Sequence, residues 1–380
     1  MITSPKEFRG PSLPPLVADA LAGQDDYHAL AAYLSSRAEL AYKKPMFSRP
    51  RIFDEGGRNF SSFERWNISA FGYTQGGYAF ISFRGTQSFL DWLVDFNFIP
   101  WSWPLRHMGF HCAWRLVRWR IVDWIKNLPA DSRNLVLTGH SLGGALAVMA
   151  AFNLAQWFPV RFVFTFGQPR VGMLIFSQNY NSRSCGPGRF EKLGAITRRY
   201  MHETDLVPRL PPLLLYWHVG DRWLLDSSGN CNQGRPKWLI RRLEDSFYDW
   251  QLKSMTSSDQ KTAAPQNVDW SEALDSATGR SSPSRRTPPK FDAAQDVRDP
   301  QSQERRFFLW PETWKTIFSN LHWLIAAPAS VIGTIVGLLM CLSYKRDVEA
   351  HFSEEYVAAF HKKYPLLFRL GDIDPRTIGR

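Results

Sequence analysis

The sequence predicts an α/β fold: a mainly parallel sheet with helices on both faces. Three observations carry the prediction. Short apolar runs of strand length alternate with longer segments of helical spacing, the order expected of crossover units. One such run, Leu135-Val136-Leu137, ends in Gly139-His140-Ser141-Leu142-Gly143 and leads into an apolar, alanine-rich run from Ala145 to Phe158. The chain is also long enough: 380 residues with 44% hydrophobic content can hold one large α/β core plus an appendage.

The elements follow in order. Met1 to Pro15 is rich in Pro and charge and reads as a loose tail, taken to residue 26. Tyr27 to Tyr42 has helical spacing and high Ala content. Ile68–Tyr73 and Tyr78–Phe83 read as strands joined by a tight turn at Gly76-Gly77, with Arg84-Gly85-Thr86 closing the second. Phe89 to Phe98 is aromatic and spotted with acid. Cys112 to Leu128 reads as a helix whose stripe of Trp114, Val117, Ile121, Trp124, Ile125 and Leu128 faces the core. After the Ser141 turn and its helix come apolar strands at Arg161–Phe166 and Thr197–His202. The second runs into Glu203-Thr204-Asp205. Leu213 to Leu225 is strand-like around Tyr216-Trp217-His218-Val219-Gly220.

Beyond residue 252 the composition shifts. Ser, Asp, Gln, Arg and Pro dominate up to 306 and periodicity is lost, the mark of a disordered insertion. Residues 307–346 are aromatic and apolar, and within them Leu321 to Ser343 has no formal charge over a bilayer-crossing length, with Lys345 and Arg346 behind it. Asp347 to Tyr364 is the last helix candidate. The expected organisation is a tail at 1–26, a core at 27–252, an insertion at 253–306, a membrane-associating segment at 307–346, and a C-terminal part at 347–380 that completes the core.

Charge and composition narrow the partners. Lys and Arg outnumber Asp and Glu by 46 to 35, so the chain is strongly basic, yet the basic residues are dispersed and no nucleic-acid motif is present. That argues against nucleic acid and for an anionic lipid surface. The 16 Trp agree, because an indole suits a boundary that is half apolar and half wet. Cys112, Cys185, Cys231 and Cys341 have neither metal-ligand nor disulfide-framework spacing, and the N-terminus lacks the apolar core of a secretory signal. A reducing, intracellular setting with unpaired thiols is the expectation. Nothing in the sequence indicates an oligomeric state.

The chemistry centres on Ser141. In a strand, G-x-S-x-G, helix context the turn is so tight that the Ser takes a strained backbone angle, and the flanking Gly139 and Gly143 are needed for close backbone approach. The strain lifts the hydroxyl to the carboxyl end of the strand, where the helix N-terminus favours developing negative charge. A serine hydroxyl needs a base to take its proton, and the base needs an acid to orient it. Asp205 lies in the loop after a predicted strand and before Val207-Pro208, which suits the acid. His218 and His351 both follow it, as the Ser, Asp, His order requires.

Several motifs agree with one another: FRGTQSFLDWLVDF at 83–96, MGFHCAW at 108–114, LTGHSLGGALA at 137–147, FTFGQPRVG at 164–172, HETDLVPRLPP at 202–212 and YWHVGDRWLLD at 216–226. In this order they resemble the class 3, or fungal-lipase-like, lipases over about Ala31 to Asp226. The resemblance implies an α/β-hydrolase fold, a Ser-Asp-His triad and hydrolysis of carboxylic esters of lipids, with no metal or organic cofactor. It implies Asp205 as the acid, with the Leu142 backbone N–H and Thr86 as oxyanion donors. It favours His351, in DVEAHFSEEY at 347–356, as the base. The family's D-H-x-x-x-Y-like element is matched without an acid directly before the histidine, and His218 stays as the alternative. Ser88 to Asp95 sits where the family carries its lid, so Phe89, Trp92 and Leu93 are expected either to cover the site or to form a fixed amphipathic helix.

The segment 321–343 constrains this reading. A single crossing would put His351 on the opposite side of a membrane from Ser141, and triad members need hydrogen-bond contact. The segment is therefore expected to dip into one leaflet or pack on the domain; if it spans, His218 must serve. The functional expectation is a triacylglycerol or diacylglycerol lipase working through an acyl-enzyme on a lipid ester at a membrane or lipid-droplet surface. The alternatives are a phospholipase A1-like acyl hydrolase and an inactive lipid-binding hydrolase fold.

Overall fold

The computed structural model describes residues 13–23, 27–85, 100–101, 106–202, 204–205, 207–210, 216–233 and 351–368. They all belong to one compact unit made of 1–242 and 326–380, and a second unit, 243–325, lies outside the described residues. The expected insertion, the membrane-like stretch 321–343, the lid segment, Thr86 and Cys341 also fall outside them. No helix among the described residues is long and apolar enough to cross a membrane.

The scaffold is an eight-stranded sheet: β1 (Arg58–Arg65), β2 (Ile68–Gln75), β3 (Tyr78–Phe83), β4 (Asn134–His140), β5 (Val160–Phe166), β6 (Thr197–His202), β7 (Asp221–Leu225) and β8 (Cys231–Asn232). Spatial order follows chain order. β3 to β7 run parallel, and β1, β2 and β8 are added antiparallel. Described helices are α1 (Pro15–Leu21), α2 (Tyr27–Leu40), α3 (Pro45–Asp54), α4 (Met108–Asn127), α5 (Leu142–Leu154), α6 (Leu174–Ser182), α7 (Leu193–Ile196) and α8 (Ser353–Lys363).

Strand pleating explains why the parallel strands are continuous apolar runs. Leu135 and Leu137 of β4 join α4 and α5 in one core, whereas Val136 joins α1, α2 and α8 in the other. In β5, Val163 faces the first core and Phe162 and Phe164 the second. Both faces are covered, so both sets of side chains must be apolar. α5 is buried on every side, and each of its large side chains contributes about 1.5–3 kcal/mol by leaving water. With a nucleophile-type turn between β4 and α5, this is an α/β-hydrolase fold.

Some elements depart from the sequence reading. Pro15–Leu21, expected as tail, is a helix that buries Val17, Ala20 and Leu21 against α2. β1 was not expected, because as an edge strand it fully buries only Phe63 and so carries no alternating pattern. α3 is interrupted in sequence by Pro50. Tyr216 to Gly220 does not pair as a strand. Gly220 turns the chain with a φ of 63°, a conformation only Gly takes freely, and pairing with β6 begins at Asp221. The helical stripe of α4 lies as expected, with Trp114, Val117, Ile121 and Ile125 buried, and the helix starts four residues earlier, at Met108.

Candidate active site

β4 ends at His140, and the next residue, Ser141, has φ 56° and ψ −128°. A residue with a Cβ is strained there. The strain is held by the packing of the turn. A Cβ on Gly143 would overlap the Phe83 carbonyl at the end of β3, and one on Gly139 would overlap the backbone of Gly143. Ser141 N–H donates to the Phe166 carbonyl at 2.9 Å, which ties the turn to β5. Leu142 is the first residue of α5, so its N–H is among those without an intrahelical partner. It sits beside Ser141 at the positive end of the helix.

Asp205 comes three residues after the end of β6 and is fully buried. Its Oδ1 accepts from the Val207 N–H at 2.9 Å. His351 precedes α8, whose Tyr356 and Phe360 pack on Phe166 and Tyr200 of the sheet. That packing brings the C-terminal segment over the carboxyl ends of β4 and β6. His351 Nδ1 lies 2.9 Å from Asp205 Oδ2 and 3.1 Å from Oδ1, and its Nε2 lies 2.8 Å from Ser141 Oγ. The ionised carboxylate only accepts, so Nδ1 carries the proton and Nε2 accepts from the Ser141 hydroxyl. Ser141, His351 and Asp205 are all buried.

His218 is elsewhere in the hydrogen-bond pattern. Its Nε2–H donates to the Pro208 carbonyl at 2.7 Å, and its own carbonyl accepts from Ser177 Oγ. Burial, with Arg199 and Arg170 nearby, pushes its pKa well below the ordinary value, so it stays neutral. Among the described residues, the ring that meets Ser141 and Asp205 is that of His351.

The sequence reading missed one participant. Tyr356 donates its hydroxyl to Asp205 Oδ2 at 2.6 Å and accepts from the His202 N–H at 2.9 Å. Burial first, and then the Asp205 charge, raises the Tyr356 pKa well above 10, so it remains a donor. The signal was present in DVEAHFSEEY, five residues after His351, but without a partner a tyrosine there reads as ordinary helix.

Residues 80–215 match the family described as Lipase (class 3). Over these residues the chain is similar to the class 3 lipase family. It is 35% identical over 165 residues to a lipase of Rhizomucor miehei, covering 39% of this chain and 42% of that one. It is 31% identical over 161 residues to the secreted mono- and diacylglycerol lipase A of Penicillium cyclopium, covering 40% and 49%. A chloroplastic phospholipase A(1), DAD1, of Arabidopsis thaliana is 27% identical over 192 residues, covering 44% and 40%. The solved structure of the Rhizomucor miehei lipase–propeptide complex aligns with a TM-score of 0.42 at 25% identity, over 52% of this chain and 67% of that one. The chain thus spans less than half the length of the curated lipases it matches.

Proposed function

We propose that this chain hydrolyses carboxylic esters of acylglycerol-type lipids through an acyl-enzyme on Ser141. The observation that carries the proposal is the single ring, His351, within hydrogen-bond reach of both Ser141 Oγ and Asp205. As Ser141 Oγ attacks the ester carbonyl, its proton passes to His351 Nε2. Asp205 stabilises the imidazolium by accepting from Nδ1–H. The developing oxyanion is held by the Leu142 N–H and, by family resemblance, by Thr86. The intermediate collapses, His351 returns the proton to the leaving glycerol oxygen, and the acyl group stays on Ser141. Water, deprotonated by the same imidazole, then releases the fatty acid and restores the hydroxyl. In this reading 347–380 completes a core interrupted at 253–346.

The test uses Ser141→Ala, His351→Ala and His218→Ala on p-nitrophenyl butyrate and on dispersed diacylglycerol. The first two are expected to lose at least about a thousandfold in kcat, while His218→Ala keeps turnover. Full activity of Ser141→Ala refutes the reading, and loss only in His218→Ala reassigns the base. Phospholipid acyl ester hydrolysis is the second reading, favoured by the similarity to a protein named phospholipase A(1). Turnover of phosphatidylcholine but not of diacylglycerol would select it.

The proposal extends to location at an intracellular lipid surface, where the exposed thiol of Cys112 stays reduced. Its support is an apolar and basic rim at the site end of the sheet. The β1–β2 hairpin turns at Trp66-Asn67, next to the end of β3, and Trp66 is 86% exposed. Met46, Phe47 and Phe352 are also exposed, with Lys43, Lys44 and Arg65 close by in sequence. Aromatics flanked by cations suit an anionic lipid boundary. Cosedimentation with phosphatidylserine-containing vesicles, weakened by Trp66→Ser, is expected; no binding to any vesicle or emulsion refutes it.

A further inference from the structure

A second chain of hydrogen bonds runs beside the triad without sharing its atoms. His140, the residue before the nucleophile, is buried and bonded at both ring nitrogens. Its Nε2 lies 2.6 Å from the main-chain carbonyl oxygen of His351, and its Nδ1 lies 2.8 Å from the Tyr42 hydroxyl. A carbonyl only accepts, so Nε2 carries the proton. The neutral ring then offers a lone pair at Nδ1, and Tyr42 donates to it. The Tyr42 oxygen in turn is packed against Gly85, where an added Cβ would overlap it. The polarity is therefore set along the whole chain. Tyr42, packed against Gly85, donates its O–H to His140, and His140 N–H donates to the His351 carbonyl.

The two ends of this chain matter for the reaction. Gly85, two residues past the end of β3, directly precedes in sequence Thr86, the oxyanion donor expected from the family resemblance. His351 carries the base on a segment near the C-terminus. Ser141 lies between them, and the His140 and His351 rings rest against each other with centroids 4.7 Å apart. His140 grips only the main chain of His351, which leaves that imidazole free for Ser141 and Asp205. Both His140 nitrogens are engaged, so this ring is not itself a proton shuttle.

We infer that Tyr42 and His140 are positioning residues that set the spacing between the base and the oxyanion strand across the nucleophile. Neither reaches the substrate. Transition-state geometry is sensitive to small displacements, so their loss falls on kcat rather than on substrate binding. A purely structural role would instead appear as lost stability with unchanged turnover per folded molecule.

The inference rests on the ester-hydrolase reading, and the test separates the two. Tyr42→Phe removes one oxygen and keeps the ring. On p-nitrophenyl butyrate it is expected to lower kcat about tenfold, with KM within about twofold and a near-unchanged thermal midpoint. His140→Gln, which retains a donor and an acceptor, is expected to keep more turnover than His140→Leu. Nitrogen-15 imidazole spectra of the wild type are expected to show His140 in the Nε2–H form, and Tyr42→Phe to mix the two tautomers. A wild type that neither turns over ester nor labels with a fluorophosphonate sinks the hydrolase reading. An active wild type with unchanged kcat in Tyr42→Phe overturns the positioning role alone. If Tyr42→Phe fails to fold, an Nδ1–H tautomer in the wild type overturns it.

Discussion

Replacing Tyr356 by Phe removes one hydroxyl from a buried carboxylate site. In the native protein Asp205 accepts from His351 Nδ1–H, the Val207 N–H and the Tyr356 hydroxyl, the last at 2.6 Å. Hydrogen bonds to charged groups contribute about 1.5–3 kcal/mol, and the water that would replace this donor has no easy entry beside a fully buried side chain. The His202 N–H also loses its acceptor, but His202 is half-exposed and water can serve it. A stability loss of about 2 kcal/mol is expected, read as a lower midpoint in urea. On the proposed mechanism catalysis suffers as well, because there Asp205 stabilises the imidazolium formed during attack. A tenfold fall in kcat/KM corresponds to about 1.4 kcal/mol of lost transition-state stabilisation and is the expected size. The deciding measurement is a double-mutant cycle with Asp205→Asn. Coupling of at least about 1 kcal/mol in stability is expected, and coupling within about 0.3 kcal/mol of zero refutes the bond as an energetic contributor.

Two further outcomes follow from the geometry. Ser141→Ala and Ser141→Gly both lose the hydrogen bond to His351, but only Gly relieves the φ of 56°. Ser141→Gly is therefore expected to be more stable than Ser141→Ala by about 1 kcal/mol, and equal or reversed stabilities argue against a strained turn. On the α2 side of the sheet, Arg37 pairs with Glu55 beneath Tyr33. Burial works to raise the Glu55 pKa, but Arg37 and Arg51 prevail and hold it below the ordinary value. A lowered folded-state pKa contributes stability above the unfolded value, near about 4.3, and loses it as pH falls through the folded one. The stability advantage of wild type over Glu55→Gln is thus expected to be constant above about pH 6 and to shrink below about pH 4.5 in acid titrations of urea midpoints. An advantage independent of pH counts against the pair.

Much of the fold was legible because its causes are local. β4 and β5 lie where apolar runs of strand length demanded burial on both faces, and α5 where an unbroken alanine-rich run followed a G-x-S-x-G turn. The Ser141 strain is equally local, since it comes from the short path between strand and helix. What was not legible depended on partners far away in sequence. β1 is polar because it is an edge, and an edge is defined only by the sheet it closes. α1 is too short for a periodic signal and is held by α2.

The same division runs through the site. By itself the sequence determined a strained G-x-S-x-G turn at Ser141, an acidic residue after β6 and a Ser, Asp, His order, because these follow from steric pattern and position along the chain. It left two histidines in line. Only the tertiary structure decided which of them lies against Ser141 and Asp205, through the packing of Tyr356 and Phe360 on Phe166 and Tyr200. It also decided that Tyr356 holds Asp205, and that His140 joins the Tyr42 hydroxyl, packed against Gly85, to the His351 main chain. Hydrogen bonds need atoms within about 3 Å, and sequence separation carries no information about that distance until the core has folded.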